Sequence, residues 1–249
     1  MSTDVSLTRE NLDQYLKELA KEFRRLNGKV IPAEIVLVGG ASILANYGFR
    51  EATYDMDAII QASSAMKEAI NHVGDHLGLP SGWLNTDFIK TKSFSPKLIE
   101  YSTYYKRFSN ILTIRTVTSE YLIAMKLMSG RKYKNDLSDI IGILHEHEKQ
   151  GKPISMKRIK TAVCNLYRSF DALPKDSIEF IEGVMATDNL ESMYRQYREE
   201  EAESKTSLLD FEKQYPDIMT EDNISDILKA AKAKKKQPSK EGSDPSEPD

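Results

Sequence analysis

Hydrophobic residues in the first part of the chain change repeatedly between helical and extended spacing. Apolar residues recur every three or four positions over 8–27, which predicts an amphipathic helix that stops at Gly28. The segment AEIVLVGG (33–40) predicts a buried strand that ends in a glycine pair, and ASILANYG (41–48) predicts a short helix. TYDMDAIIQ (53–61) predicts a second strand.

The pattern later in the chain becomes entirely helical. SSAMKEAINHVGDHLG (63–78) predicts another amphipathic helix with a serine at its start. KLIEYS (97–102) and NILTIRTV (110–117) predict two strands that are neighbours in one sheet. Helical spacing then continues from residue 118 to about residue 233.

These elements predict an α/β (α+β) fold. Residues 1–117 are expected to form a mixed β-sheet with flanking helices, and residues 118–233 a helical module. No linker rich in Pro, Gly or Ser separates the two, so we expect them to pack together with a ligand cleft between them. Residues 234–249 are polar and are expected to be a disordered tail.

Composition indicates a soluble cytoplasmic protein that does not enter the membrane. The start of the chain lacks the features of a signal peptide, and no apolar run approaches the ~20 residues of a membrane helix. The single cysteine, Cys164, fits a reducing compartment. The net charge is −3, yet residues 229–240 carry six lysines. This stretch is either a nucleic-acid contact or, as we favour, a solvated terminal helix.

Two aspartates lie one residue apart within the second predicted strand. Because side chains alternate along a strand, Asp55 and Asp57 should share one face, while Met56 and Ala58 face the core. Two carboxylates on one face repel each other unless a cation neutralises them. Mg²⁺ binds one or two carboxylates and completes its shell with water and substrate phosphates, and Mn²⁺ would be an alternative.

A glycine pair lies upstream, where the first strand meets its helix. Without side chains, Gly39 and Gly40 let backbone N–H groups approach a phosphate, and Ser42 adds a hydroxyl. The alternative is a tight turn with aspartates at a sheet edge. The acid pair and the glycine pair on adjacent elements together favour a site for nucleotidyl transfer.

A second group of charged residues follows in the helical part. Lys126 lies in the apolar context YLIAMKLM, so its stem should be buried and its ammonium should reach a cleft and pair with phosphate oxygens. Arg131, in GRKYK, would act similarly. Asp136 and Asp139 share one face of a helix start. The alternatives are a surface lysine, an exposed basic turn and acids that favour a helix N-terminus.

The motifs resemble those of a known superfamily. VGGAS and YDMDAII resemble the signature of the polymerase-beta-like nucleotidyltransferases. EYLIAMKLMSGRKYKNDLSDIIGIL (120–144) resembles the second signature of the branch found in bacterial abortive-infection and toxin–antitoxin systems. The resemblance implies that residues 1–117 form a nucleotidyltransferase module. It also implies an Mg²⁺-dependent enzyme that transfers a nucleoside monophosphate from an NTP to an acceptor hydroxyl.

The resemblance also implies roles for particular residues. Asp136 would be the later acidic residue of the site, either holding Lys126 or assisting deprotonation of the acceptor. Glu100 and Asp139 remain open as a further carboxylate. The expected catalytic residues are Asp55, Asp57, Lys126 and Asp136, with Asp55 and Asp57 as metal ligands; the expected nucleotide-binding residues are Gly39, Gly40, Ser42, Lys126 and Arg131.

The resemblance extends to partners. It implies an RNA acceptor, such as a tRNA 3′ end, and a role as the toxin of a toxin–antitoxin or phage-defence pair with a cognate antitoxin protein. The alternatives are a small-molecule acceptor of the antibiotic type and a catalytically silent member that binds nucleotide or a partner.

Overall fold

The structure, a computed structural model, describes residues 6–27, 31–220 and 223–236. Within these ranges the chain forms strands and helices with the following bounds: β1 (Leu7–Thr8), α1 (Arg9–Asn27), β2 (Ala33–Leu37), α2 (Gly39–Asn46), β3 (Ala52–Thr53), β4 (Met56–Gln61), α3 (Ala65–Leu77), β5 (Leu84–Asn85), β6 (Ser102–Phe108), β7 (Leu112–Val117), α4 (Ser119–Ser129), α5 (Asp136–Lys149), α6 (Met156–Tyr167), α7 (Lys175–Met185), α8 (Leu190–Gln214) and α9 (Ile224–Lys236).

Five of the strands form one mixed sheet in the order β5-β4-β2-β7-β6. Strand β2 is antiparallel to β4 and parallel to β7, whereas β5 runs parallel to β4. The end of β2 and the beginnings of β4 and β5 therefore meet at one edge of the sheet. We call this edge the glycine edge, because Gly39 follows β2 there. Strands β1 and β3 form a separate antiparallel pair.

Each face of the sheet is covered by a different set of helices. Alternation along β2 sends Ile35 and Leu37 into a core that contains apolar residues of α1 and α3. Val36 and Val38 instead join a core that contains apolar residues of α4, α5, α6 and α7. The helices after residue 118 thus pack directly on the sheet. Each large aliphatic side chain buried in this way contributes about 1.5–3 kcal/mol relative to an exposed one.

The predicted fold class is confirmed, and most predicted elements are present. The strand predicted for residues 53–61 is interrupted at Tyr54 and Asp55, which lie between β3 and β4, so Asp55 is not on a strand. The strand predicted for residues 97–102 is largely absent. Pro96–Ile99 forms a short 3₁₀ helix, and the strand begins only at Ser102. Pro96 has no N–H for a strand ladder and occupies the start of this turn, where that group is not needed. Leu98 is fully buried and anchors the turn to the core.

The ends of three predicted segments differ from the structure or lie outside it. Helix α9 extends to Lys236, three residues into the segment predicted as a tail. The remainder of that tail, 237–249, and the predicted stop at Gly28 lie outside the described residues. In the described part of the chain, no helix combines the length and apolar character needed to cross a membrane.

Candidate active site

The glycine turn faces the acid pair across the glycine edge. Gly39 has a φ of +53°, in the left-handed region that favours glycine, and it opens helix α2. A Cβ at Gly39 would lie 3.8 Å from Asp57 Oδ2. The backbone N–H of Val38 donates to the Asp57 carbonyl oxygen at 2.9 Å. The turn and the carboxylate thus form one local unit.

The two aspartates differ in their surroundings. Asp55 is exposed just before β4, whereas Asp57 is half-buried within it, and their neighbours Met56 and Ala58 are fully buried. Burial raises the pKa of Asp57 to about 6, and the negative charge of Asp55 acts in the same direction. Positive charges on Arg131 and Lys134 act in the opposite direction, since the turn between α4 and α5 lies near Asp57.

A buried ionic network lies next to the acid pair. Lys126 is only 6% exposed, and its Nζ lies 2.9 Å from Asp136 Oδ1 and 2.8 Å from Asp139 Oδ2. Arg131 Nε donates to Asp136 Oδ2 at 2.9 Å. Arg50, which follows α2, pairs with Asp139 and donates to the Ala52 carbonyl oxygen at 3.2 Å. The chain of ion pairs therefore runs from the segment before β3 to the turn after α4.

The network keeps Lys126 and Asp136 charged. Burial by itself would lower the pKa of Lys126, but Asp136 and Asp139 outweigh it and the pKa is raised. Burial likewise opposes ionisation of Asp136, yet Lys126 and Arg131 lower its pKa to about 2. The five side chains carry three positive and two negative charges, which leaves one positive charge in excess. Arg131 is the most exposed of the three cations.

Helix α8 holds the start of α5 from the other side. Glu201 is buried, and its Oε1 accepts hydrogen bonds from the backbone N–H groups of Leu137 at 2.9 Å and Ser138 at 3.3 Å. These are N–H groups of the first helical turn, which have no partner within the helix. A carboxylate there also interacts favourably with the helix dipole. Glu201 therefore fixes the helix that carries Asp136 and Asp139.

The structure brings together most of the residues that the sequence indicated. Asp136 and Asp139 both contact Lys126, so Asp139 belongs to the network. Ser42 is fully buried, and its hydroxyl donates to the Val117 carbonyl oxygen at 3.4 Å, so it is not directed to the glycine edge. Glu100 is exposed at the end of the 3₁₀ helix and is not on a strand.

The segment that contains Asn85 and Asp87, and not the one that contains Glu100, lies beside the acid pair. In the β4–β5 ladder Asn85 is the partner of Asp57, and Asp87 is near enough to raise the pKa of Asp57 further. In contrast, Glu100 precedes β6, which β2 and β7 separate from β4. Because adjacent strands are about 4.8 Å apart, that separation amounts to about 14 Å. Asn85 and Asp87, rather than Glu100, therefore border the candidate site.

Sequence reasoning missed the polar residues that reach the site from distant segments. Arg50 is one arginine in a polar loop, and β5 is too short to leave a pattern. Glu201 lies in the acidic run EEEAE, which is typical of a solvated surface. Its spacing from the two other buried residues of α8, Ser204 and Leu208, is the one available signal, since these positions share a helical face.

Replacing Gly40 by alanine is expected to destabilise the protein by about 1–3 kcal/mol. Its Cβ would lie 2.8 Å from Thr53 Oγ1 and 2.9 Å from Arg50 Nη2, so these side chains must shift, and a shift of Arg50 would disturb its pair with Asp139. Chemical denaturation would measure the loss. Gly183→Ala is the control: no atom lies near its Cβ in α7, so it should stabilise the helix by about 0.5–1 kcal/mol. Equal effects of the two changes would contradict the expectation.

Acid is expected to destabilise the protein through Asp136. Its pKa of about 2 lies below the ordinary value of 3.8, a difference that corresponds to about 2 kcal/mol. This stabilisation is fully present above about pH 4 and is lost as the pH falls towards 2. Urea unfolding across this range should show a shallower acid limb for Asp136→Asn than for wild type. Asp75→Asn, at an exposed position of α3, should keep the wild-type slope.

Within the described ranges, no cluster of three or more His, Cys, Asp or Glu side chains is arranged to hold a metal ion. The acid pair supplies two carboxylates, Asp55 and Asp57. Two carboxylates with open space beside them match Mg²⁺ that keeps several waters and binds substrate phosphates, rather than an ion enclosed by protein ligands.

The mixed sheet, the glycine turn and the acid pair at the start of β4 are features of the nucleotidyltransferase class. A family model described as "Nucleotidyltransferase of unknown function (DUF6036)" matches residues 14–165. This is more than half of the chain, and the chain belongs to that family. The matched segment includes the glycine turn and the helices that carry the ionic network. No curated protein and no solved structure matches the chain.

Proposed function

We propose that the protein transfers a nucleoside monophosphate from an NTP to an acceptor hydroxyl, with Mg²⁺ or Mn²⁺ held by Asp55 and Asp57. The observation that carries the proposal is the position of Gly39 next to Asp57. A carboxylate pair and a glycine turn lie together at one edge of the sheet, and the backbone N–H groups of such a turn would bind phosphate. Family membership supports the transfer of a nucleotidyl group.

The acid pair suits a divalent cation on physical grounds. The pKa of Asp57 is raised by burial and by Asp55, so the pair is an electrostatically unfavourable arrangement that a cation would relieve. When bound, the ion would supply charge neutralisation and polarisation at the α-phosphate. Asp55 and Asp57 would hold it.

The triphosphate would extend from the acid pair towards the glycine turn and Arg131. Backbone N–H groups at Gly39 and Gly40 would contact its oxygens, because neither residue has a side chain in the way. Among the three cations of the ionic network, Arg131 is the best placed for the leaving pyrophosphate, because its side chain is 36% exposed and its charge acts on Asp57. Its guanidinium can form paired hydrogen bonds with phosphate.

Lys126 and Asp136 would position Arg131 rather than contact the substrate. The ammonium of Lys126 is buried between two carboxylates, so it would act on phosphate only as part of the positive network. Asp136 has a pKa of about 2 and binds two cations, which makes it a poor base. Of the two roles considered for Asp136, holding Lys126 is therefore the one that the contacts support.

In the reaction, the acceptor oxygen forms a bond to the α-phosphorus while the bond between that phosphorus and the bridging oxygen breaks. Pyrophosphate leaves with the bonding electron pair, and the hydroxyl proton is released to water. The products are the nucleotidylated acceptor, pyrophosphate and one proton. The residues of the site contribute by positioning and by stabilising charge, as is general for phosphoryl transfer.

We infer that the acceptor is RNA, such as a tRNA 3′ end, and that the protein acts as a toxin with a cognate antitoxin. The resemblance of residues 120–144 to the abortive-infection branch supports this inference, as does the basic turn around Arg131, which includes Lys132 and Lys134. Growth arrest on expression of wild type, and its absence with an inactive variant, would test the toxin role.

The direct test is transfer of α-³²P label from each of the four NTPs to total bacterial RNA, with Mg²⁺ or with Mn²⁺. A discrete labelled RNA band that requires the metal is the expected result. Label on a small molecule such as an aminoglycoside, and none on RNA, would contradict the RNA acceptor. Nucleotide binding without any labelled product would indicate the catalytically silent alternative.

A further inference from the structure

An open cavity of about 290 Å³ borders the acid pair on the side away from the glycine turn. Strand β4 lies between β2 and β5 in the sheet, so residues of β5 and residues after β2 flank the acid pair from opposite sides. The walls of the cavity are formed by Tyr54, Asp55, the loop 80–83, Asn85 and Asp87. The proposed function assigns none of this space to the NTP phosphates.

Reaction geometry gives this cavity a role. In phosphoryl transfer the attacking and leaving oxygens lie roughly in line across the phosphorus. If pyrophosphate leaves towards Gly39 and Arg131, the attacking hydroxyl must approach from the opposite side of the acid pair. That side is the one next to β5, where the cavity lies. The cavity is therefore placed for the acceptor.

Tyr54, which lines the cavity, and Lys205, which lies over the ring of Tyr54, define the chemistry of the acceptor. Tyr54 is 56% exposed, although it directly precedes Asp55, and the Nζ of Lys205 lies 4.5 Å from its ring centroid. Lys205 lies over the ring, and 56% of the Tyr54 surface is still exposed, which leaves an area for a base. An aromatic ring beside a cation is the combination that binds single-stranded nucleic acid, through base stacking and a phosphate contact.

The remaining wall favours sugar hydroxyls over phosphate. The carboxylates of Asp55 and Asp87 accept hydrogen bonds from hydroxyl groups and repel phosphate oxygens. The amide of Asn85 both donates and accepts, and it accepts from the backbone N–H of Asp87 at 2.9 Å. A ribose would thus lie towards the carboxylates, while a phosphate would lie towards Lys205.

We propose that this cavity binds the 3′-terminal nucleotide of a single-stranded RNA acceptor. The terminal base stacks on Tyr54, the terminal phosphate contacts Lys205, and the ribose hydroxyls face Asp55 and Asp87. The proposal rests on the proposed function and specifies its acceptor. It assigns Tyr54 and Lys205 to acceptor binding only.

Steady-state kinetics with the full-length chain tests the proposal. Tyr54→Ala and Lys205→Ala should each raise KM for RNA by about tenfold and leave KM for the NTP unchanged. Tyr54→Phe should behave like wild type, because the ring remains. Tyr104→Ala and Lys213→Ala are matched controls: Tyr104 is 60% exposed on the far edge strand β6, and Lys213 is an exposed lysine of α8, like Lys205.

A binding measurement separates this proposal from the proposed function. The anisotropy of a short RNA oligonucleotide that carries a fluorescent label reports on binding without catalysis. Added without NTP or divalent ion, this oligonucleotide should show a rise in anisotropy with wild type and not with Tyr54→Ala. If this response is present but no transfer occurs with any NTP, the cavity assignment stands and the proposed function fails.

Three results would overturn the assignment. The first is a rise in KM for the NTP, rather than for RNA, in Tyr54→Ala, which would place the nucleoside of the NTP in the cavity. The second is a KM for RNA and an RNA-binding signal that are the same in the Tyr54 and Lys205 variants as in the Tyr104 and Lys213 controls. The third is transfer to a small cationic acceptor that is undiminished in Lys205→Ala, with no response to RNA.

Discussion

Asp57→Asn is expected to lower nucleotidyl transfer by at least about 1,000-fold, which corresponds to about 4 kcal/mol of activation free energy. Asparagine preserves the size of the side chain but removes the negative charge that would hold the cation against the α-phosphate. Asp57 is half-buried and lies opposite Gly39. After the substitution, Asp55 is the remaining carboxylate of the pair. Initial rates with the preferred NTP and acceptor measure the effect.

Folding should survive this substitution. The raised pKa of Asp57 shows that its charge is unfavourable in the folded protein, so a neutral isostere removes a repulsion with Asp55. Thermal unfolding without metal should therefore give an equal or higher Tm for Asp57→Asn. Asp75→Asn, at an exposed position of α3, is the control and should change neither rate nor Tm. A variant that folds and retains a tenth of the wild-type rate would contradict the assignment of Asp57.

Lys126→Met is expected to destabilise the protein by about 3–5 kcal/mol. Methionine fits the space of the buried stem, but Asp136 and Asp139 then share a buried site that has lost its central cation. Arg131 and Arg50 compensate one carboxylate each, from the two ends of the network. Urea denaturation at neutral pH measures the free energy of unfolding.

A double variant separates loss of charge balance from loss of packing. Lys126→Met combined with Asp139→Asn removes one positive and one negative charge, so it should recover part of the stability that Lys126→Met loses. Lys21→Met is the control for loss of a lysine, because it breaks a largely exposed pair with Glu18 and should cost less than about 1 kcal/mol. A double variant less stable than Lys126→Met alone would show that packing, and not charge, determines the loss.

Local patterns predicted much of the fold because the relevant interactions are close in sequence. The apolar spacing of α1 places Leu12, Leu16 and Leu19 on one buried stripe, as expected for a helix against a sheet. The alternation around Asp57 likewise predicted burial of Met56 and Ala58. The strand predicted for 97–102 failed because its apolar residues are buried by a turn. Alternation alone does not distinguish a buried turn from a short strand.

Some residues of the candidate site were predicted from the sequence, and others were revealed only by the tertiary structure. The acid pair, the glycine pair and Lys126 were found in the sequence, because each occurs in a short motif with its own chemistry. Arg50 and Glu201 were not, because they enter the site through contacts with residues 89 and 64 positions away. A polar residue whose partner is that distant gives no periodic signal, and its neighbours in sequence suggest a solvated surface.

The sequence by itself determined the sheet-and-helix architecture, the carboxylate pair and the glycine turn, because backbone periodicity and residue type act over short segments. Only the tertiary structure decided that Lys126 is enclosed by Asp136 and Asp139, that Ser42 faces inward, and that β5 instead of Glu100 borders the acid pair. The physical reason is that burial and charge pairing depend on which segments meet in space. The packing of the whole chain determines these contacts between segments.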